Sequence, residues 1–321
     1  MPMQLSARWM LFAALSLAVS GCGRQEDRLR VGANVWPGYE PMFLARSLGY
    51  YDGHPIQLVG FSSAAEVIRA YRNGLIEVAA LTADEVLLVA ETQPLEHRIV
   101  LVCDASRGAD VLLAKPEFET VAQLKGRRVG VETTALGAYM LARALERGGL
   151  AANDVTTVAV PLLKHVAAYK AGDVDAVVTF EPNRSRLLAE GARNLFDSSQ
   201  IPGEIVDVML TRRKLSESQN RTLGVFVSGW FRALDYLREN PKDAAARIAV
   251  RESVTPQQFL ESLQGLDLTD RAANQRLLGS RPGNLGETLG HLSDVMLNQK
   301  ILSRAMAQPV LDDRFIQATA P

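Results

Sequence analysis

Four carboxylates and a set of helix starts are the residues of this chain whose types and spacing can do chemistry. Asp84, Asp110, Glu132 and Glu181 suit an ammonium, an amidine or a ring N–H. Ser63-Ala-Ala-Glu66 and Thr82-Ala-Asp-Glu85 read as capping boxes, in which the hydroxyl takes the third helical N–H and the glutamate returns the bond. Capping alone accounts for Glu66 and Glu85. Asp84 stands at the second helical position and does not close its box, so it either steadies the helix dipole, by about 0.3 to 1 kcal/mol, or meets a ligand. Thr133 or Thr134 can cap the helix after Val131, while Pro41 and Pro182 suit first turns, where no N–H is needed. All five starts follow the carboxyl end of a strand, where helix N–H groups and positive dipole ends favour an anion. A solute carrying both kinds of group, such as an amino-sulfonate or an aminopyrimidine, satisfies both halves of this chemistry. Bare nitrate satisfies one.

Signs of catalysis and of cofactors are thin. The chain has no G-x-x-x-x-G-K-[ST], no G-x-G-x-x-G and no G-x-S-x-G. His54, His97, His165 and His291 lack ligand spacing, so neither a metal nor a cofactor is expected. His97 and Cys103 would stand on one strand about 20 Å apart, which forbids a thiol–imidazole pair. Cys103 and Met209 read as core. With a net charge of −1 and acids and bases interspersed, no nucleic-acid face is expected.

Short apolar runs alternate with helical patterns from Leu29 to about Phe196, the mark of parallel α/β architecture. Strands are expected at 29–35, 57–61, 77–81, 98–103, 128–131, 155–160, 175–180 and 206–210. Part of this pattern occurs twice at one offset. Arg30-Val31-Gly32 returns as Arg128-Val129-Gly130, and Tyr71-x-x-Gly74-x-Ile76-Glu77 as Tyr169-x-x-Gly172-x-Val174-Asp175, 98 positions on in both cases. A duplicated unit implies two similar lobes with a crevice between them. The tail reads as helix throughout, with starts at Ser216, Asn240-Pro241 and Thr255 and a last helix over 283–298, and is expected to cover the first lobe. Chain crossings near 104–111 and 205–210 would form a two-segment hinge.

At the N-terminus, Arg8 precedes an apolar run from Trp9 to Val19 that ends in small residues, a secretory pattern too short to span a bilayer. Val19-Ser20-Gly21-Cys22 resembles the lipobox of bacterial lipoproteins, which implies lipidation of Cys22 and a membrane tether. That would leave the mature chain one cysteine and no disulfide.

Asn34-Val-Trp-Pro-Gly-Tyr39 and Leu44-Ala-Arg-Ser-Leu-Gly-Tyr-Tyr51 resemble the substrate-binding proteins of ABC importers for nitrate, sulfonates, taurine and thiamine pyrimidine precursors, the NMT1-like type II periplasmic binding proteins. Tyr71-x-x-Gly74-x-Ile76-Glu77, Leu81-Thr-Ala-Asp-Glu85, Ser106-Arg-Gly-Ala-Asp110, Leu124-Lys-Gly-Arg-Arg-Val-Gly130 and Phe180-Glu-Pro182 extend the likeness. The resemblance implies an α/β fold of two lobes with a two-segment hinge and a helical C-terminal tail. Expected divisions are a signal peptide at 1–21, a tether at 22–28, the first lobe at 29–105 completed by 208–321, and the second lobe at 106–207. By position it places ligand contacts at Asn34, Trp36, Tyr39, Ser62, Ser63, Thr82, Ala83 and Asp84, faced by Asp110, Thr133, Thr134 and Glu181. It implies a lipid-anchored, monomeric, non-enzymatic protein on the periplasmic or cell-surface side, handing a sulfonate-, taurine- or pyrimidine-like solute to an ABC permease and its ATPase. The alternatives are a sensory lipoprotein docking on a membrane receptor, and an enzyme of the thiamine-pyrimidine or menaquinone-pathway kind.

Overall fold

The computed structural model describes residues 27–93, 97–132 and 134–317, so the signal run and Cys22 lie outside the described residues, as does Thr133. Two sheets organise the chain. The first takes β1 (Leu29–Ala33), β2 (Ile56–Gly60), β3 (Val78–Thr82) and β4 (His97–Ser106), joined by α1 (Glu40–Ser47), α2 (Ala64–Arg72) and α3 (Ala83–Thr92). The second takes β5 (Val111–Ala114), β6 (Arg128–Val131), β7 (Thr156–Ala159), β8 (Ala176–Thr179) and β9 (Arg193–Asp197), with α4 (Ala135–Arg147), α5 (His165–Ala171) and α6 (Asn183–Ala189). The chain then returns through β10 (Val206–Arg212) to the first sheet, whose order is β11-β4-β10-β3-β1-β2. Val206 and Asp207, the last residues of the expected second lobe, therefore already pair within the first.

The repeat survives in the register. Val31 and Gly32 face Val78 and Ala79 in parallel, and 98 positions later Val129 and Gly130 face Ala176 and Val177. In each sheet an antiparallel strand adjoins this trio, β10 on β3 and β5 on β8. β3 is buried at every residue, which is why it reads as an unbroken apolar run rather than an alternation.

The tail is not wholly helical. Besides α7 (Glu217–Glu239), α8 (Pro241–Glu252), α9 (Pro256–Ser262), α10 (Arg271–Leu278), α11 (Leu285–Asn298) and α12 (Arg314–Gln317), it carries β11 (Leu266–Leu268) and β12 (Val310–Leu311), both paired to β4. Strands of three and two residues are too short to show a period, and β5 and β9 are further strands beyond the expected set. The cover itself is where the pattern puts it: Leu223, Phe226, Val227, Trp230, Leu234 and Leu237 of α7 are all buried, and the helix packs on α1 and α8.

Two crossings link the sheets, β4 to β5 and β9 to β10, and they are tied to each other. The Ser106 N–H donates to the Ile205 carbonyl at 2.9 Å, and the Ser106 and Ser198 hydroxyls share a hydrogen bond of 2.7 Å. Ser198 also accepts the Gly108 N–H at 2.6 Å.

Candidate functional site

Where the carboxyl ends of β1 and β3 meet those of β6 and β8, the two sheets line a partly open cleft of about 320 Å³ counting the space open to solvent, of which about 20 Å³ is enclosed, room for about one water. Its wall holds Asn34, Trp36, Tyr39, Thr82 and Asp110 from the expected set, joined by Ala64, Glu85, Glu132, Leu136, Phe180 and Asp207. Both lobes contribute. Trp36 meets Phe180 edge to face across the cleft, with ring centroids 5.5 Å apart, a favoured aromatic geometry.

Local chemistry fixes each wall. Trp36 is held from behind by its indole N–H, which donates to Asp104 at 3.3 Å. Gly38 lets that contact form: a Cβ there would stand 1.9 Å from an Asp104 oxygen. The Tyr39 hydroxyl donates to Asp207. Thr82 opens α3, and its N–H is taken by Glu85 at 3.2 Å, the return bond of the expected box.

The remaining expected residues sit elsewhere. Ser62 is exposed, and its hydroxyl and N–H are both bound by Glu66, at 2.7 and 2.9 Å. The Ser63 box thus closes one residue early, because the glutamate reaches Ser62 while Ser63 accepts the Glu66 N–H at 3.3 Å. Glu181 accepts Arg184 at 2.9 Å and the Ser185 N–H and hydroxyl at 3.2 and 3.0 Å, and it lines a separate crevice with Glu252 and Arg186. Thr134 stands at the N-cap of α4 without a side-chain cap, and Pro182 precedes α6 rather than entering its first turn. Ala83 and Asp84 begin α3 fully buried, behind the cavity wall.

Of the added wall residues, Glu132 is one of the four carboxylates the sequence itself marks, and Phe180 is within reach of the repeat. The offset of 98 carries Asn34 to Glu132 and Thr82 to Phe180, so the cavity is lined by both copies of two repeat positions. Asp207 had a fainter signal, an acid inside the apolar strand Val206 to Leu210.

Electrostatically the site is one-sided. Burial pushes Asp110 up to about 7, helped by the charges of Asp84 and Glu181, and pushes Asp104 up to about 8. Asp84 rises to about 6 by burial. Glu85 rises well above the usual carboxylate range through burial and the nearby Asp84 and Glu132; Asp207 does so through burial and the nearby Asp104. Glu132 faces the other lobe: burial raises it, while the nearby Ala65 N–H and Ser63 hydroxyl at the start of α2 pull it back.

The NMT1-like family matches residues 23–251 of the chain. The chain belongs to that family. A curated relative is the taurine-binding periplasmic protein of Escherichia coli (strain K12), 24% identical over 245 residues, which covers 74% of this chain and 75% of that protein. Among solved structures, the alkanesulfonate-binding protein SsuA from Xanthomonas axonopodis pv. citri bound to MOPS superposes with a TM-score of 0.72 at 18% identity, over 88% of this chain and 96% of that one. The desulfurization enzyme DSZB shares the fold as well, with a TM-score of 0.65 at 18% identity over 91% of this chain and 98% of its own. This NMT1-like chain therefore has the periplasmic-binding-protein fold, and its cavity lies between the two sheets of that fold.

Proposed function

We propose that the chain is the extracytoplasmic solute-binding component of an ABC importer, capturing a small organic solute of the sulfonate, taurine or pyrimidine kind between its lobes. The single observation that carries this is a cavity whose wall is drawn from both sheets, with Trp36 and Asp207 from one and Phe180 and Glu132 from the other. The lobes are 29–106 with 206–321, and 107–205, moved from the expected bounds because β4 runs to Ser106 and β10 starts at Val206, and they turn on the crossings joined by Ser106 and Ser198. A solute that touches both walls binds the closed form better and shifts an open–closed equilibrium by that difference. The closed form then docks on a permease with its ATPase.

The protein works as a monomer held to the membrane through Cys22. Supporting the tether, the family match begins at residue 23. Asp27 and Arg28 accept hydrogen bonds from Ser216 and Gln219 at the start of α7. No chemistry is assigned to the cleft despite the shared fold with DSZB. Cys103 is fully buried in β4, its thiol pushed well up by burial and by Asp104 and Asp207, the reverse of what a nucleophile needs.

A thermal-shift screen of sulfonates, amino acids, nitrate, amines and pyrimidines tests the reading. A true solute at a hundred times its dissociation constant adds about 2.7 kcal/mol of stability, and Trp36→Ala should abolish that gain. Shifts that survive Trp36→Ala would place binding elsewhere, and turnover of a hit would install the enzyme reading.

A further inference from the structure

The cavity wall contains four carboxyl oxygens with nothing to pair them. Glu85 Oε1, Asp110 Oδ2, Glu132 Oε1 and Asp207 Oδ2 are buried without a hydrogen-bond partner, in side chains exposed by 1, 2, 6 and 2%. Behind them lie both oxygens of Asp84 and Oδ1 of Asp104, also unpartnered. Among the described residues no lysine, arginine or histidine joins the wall. An ionised carboxylate buried this way is unfavourable by several kcal/mol unless a positive group meets it. In the empty protein such groups keep their protons, and a cation entering the cleft would favour their ionised form.

A second observation concerns the anion seat. Ala64, in the first turn of α2, lines the cleft, and a helix start is the place where a sulfonate or nitrate would be expected to sit. Glu132 of the opposite lobe lies near that turn instead, close enough for the Ala65 N–H and the Ser63 hydroxyl to favour its ionised form. The protein's own carboxylate stands where a solute anion would go. Around it the remaining wall is aromatic, with Trp36, Tyr39 and Phe180, surfaces that favour a flat or apolar cation over an anion. A metal ion fits poorly, because no group of three acids or histidines among the described residues converges closely enough to hold one.

We propose that the group this cleft recognises is an organic cation, an ammonium or amidinium on a small flat body, with its charge against Asp110, Glu85 and Asp207 and its body against the aromatic wall of Trp36, Tyr39 and Phe180. The inference rests on the solute-capture reading of the same cavity and narrows it. Sulfonate recognition, the property of the relatives, is then weakened here by Glu132, and a solute such as an aminopyrimidine is retained for its basic edge.

Calorimetry on the full chain with two probes of like size and opposite charge, benzamidine and benzenesulfonate, decides the matter. Benzamidine should bind at least tenfold more tightly than benzenesulfonate. Asp110→Asn should weaken benzamidine at least tenfold, and Glu132→Gln should raise the affinity for benzenesulfonate severalfold while the near-ultraviolet dichroism of both variants stays native. Tighter binding of benzenesulfonate would overturn the charge assignment and leave solute capture standing. Failure of both probes, or displacement of benzamidine by calcium, would also overturn it, while capture itself would still be judged by the thermal-shift screen.

Discussion

In the first sheet Arg30 donates its backbone N–H to Glu77 at 2.8 Å, its Nε to the same carboxylate at 3.0 Å and its Nη2 to the Gly74 carbonyl at 2.9 Å. In the second, Arg128 makes the same three bonds to Asp175, Asp175 and Gly172, at 2.8, 3.2 and 2.8 Å. These knots lock the first strand of each unit to the turn before its third strand, and they lie at the amino ends of the strands. At the carboxyl ends the copies have parted. Asn34 corresponds to Glu132 and Thr82 to Phe180, an amide opposite an acid and a hydroxyl opposite a ring. Duplication thus preserved what holds each lobe together and released what faces the solute.

The parting is sharpest in charge, and it gives the largest expected effect. Asp84, Glu85, Asp104 and Asp207 come from the first lobe and Asp110, Glu132 and the Arg184-bound Glu181 from the second, with the Tyr39 hydroxyl among them. For Asp84, Glu85, Asp104, Asp110, Glu132 and Asp207, folded pKa values raised above the unfolded ones mean that the empty folded chain holds protons the unfolded chain has released. Stability is then full below about pH 4 for these groups and falls as pH rises through about 6, 7 and 8, the values of Asp84, Asp110 and Asp104. Each retained proton steepens that fall by about 1.4 kcal/mol per pH unit. Denaturant melts from pH 5 to 8 should show it. Asp110→Asn should flatten the fall only below pH 7, whereas Asp104→Asn should flatten it up to pH 8. A flat profile in the parent, or identical effects of the two substitutions, would remove the distinction between the lobes.

What the sequence disclosed follows the same division. The knots and the register were legible because Arg-Val-Gly and the Tyr-x-x-Gly turn are local words, repeated at a fixed distance. Asp207 was not, since its role depends on β10 lying between β3 and β4, so that one register row carries Thr82, Asp207 and Asp104 from three distant segments. No window of neighbouring residues contains that information. Ser62 and Glu181 erred the other way. Both stand near the right strand ends, but Glu66 in one case and Arg184 with Ser185 in the other satisfy them locally first. Glu85 shows why capping and ligand chemistry were hard to separate: one oxygen closes the box and the other is left facing the cavity.

Glycine two residues after each knot arginine sharpens the comparison at the level of packing. A Cβ on Gly32 would stand 2.6 Å from Ile76 and 2.7 Å from Phe61, while one on Gly130 would meet Val174 at 3.2 Å and Val160 at 3.3 Å. Overpacking of the first kind destabilises by about 1 to 3 kcal/mol. The second needs shifts of a few tenths of an ångström and recovers part of the strand-interior penalty of glycine. Gly32→Ala should therefore lower the urea midpoint clearly, and Gly130→Ala should leave it within about 0.5 kcal/mol of the parent. Equal losses would mean the two lobes are packed alike.

The smallest effect belongs to the knots themselves. Side chains of Arg30 and Glu77 are 35 and 14% exposed, against 45 and 22% for Arg128 and Asp175. Water competes more for the second pair, and exposed ion pairs contribute little. Arg30→Ala also strands the Gly74 carbonyl and one side of a largely buried Glu77, so a loss of about 1 kcal/mol is expected. Arg128→Ala should lose less, and the loss should shrink further in salt. Urea titrations of both variants at low and high ionic strength check the order. Should Arg128→Ala prove the more damaging, the second lobe would depend on its knot for want of a helical cover like that of α7 over the first.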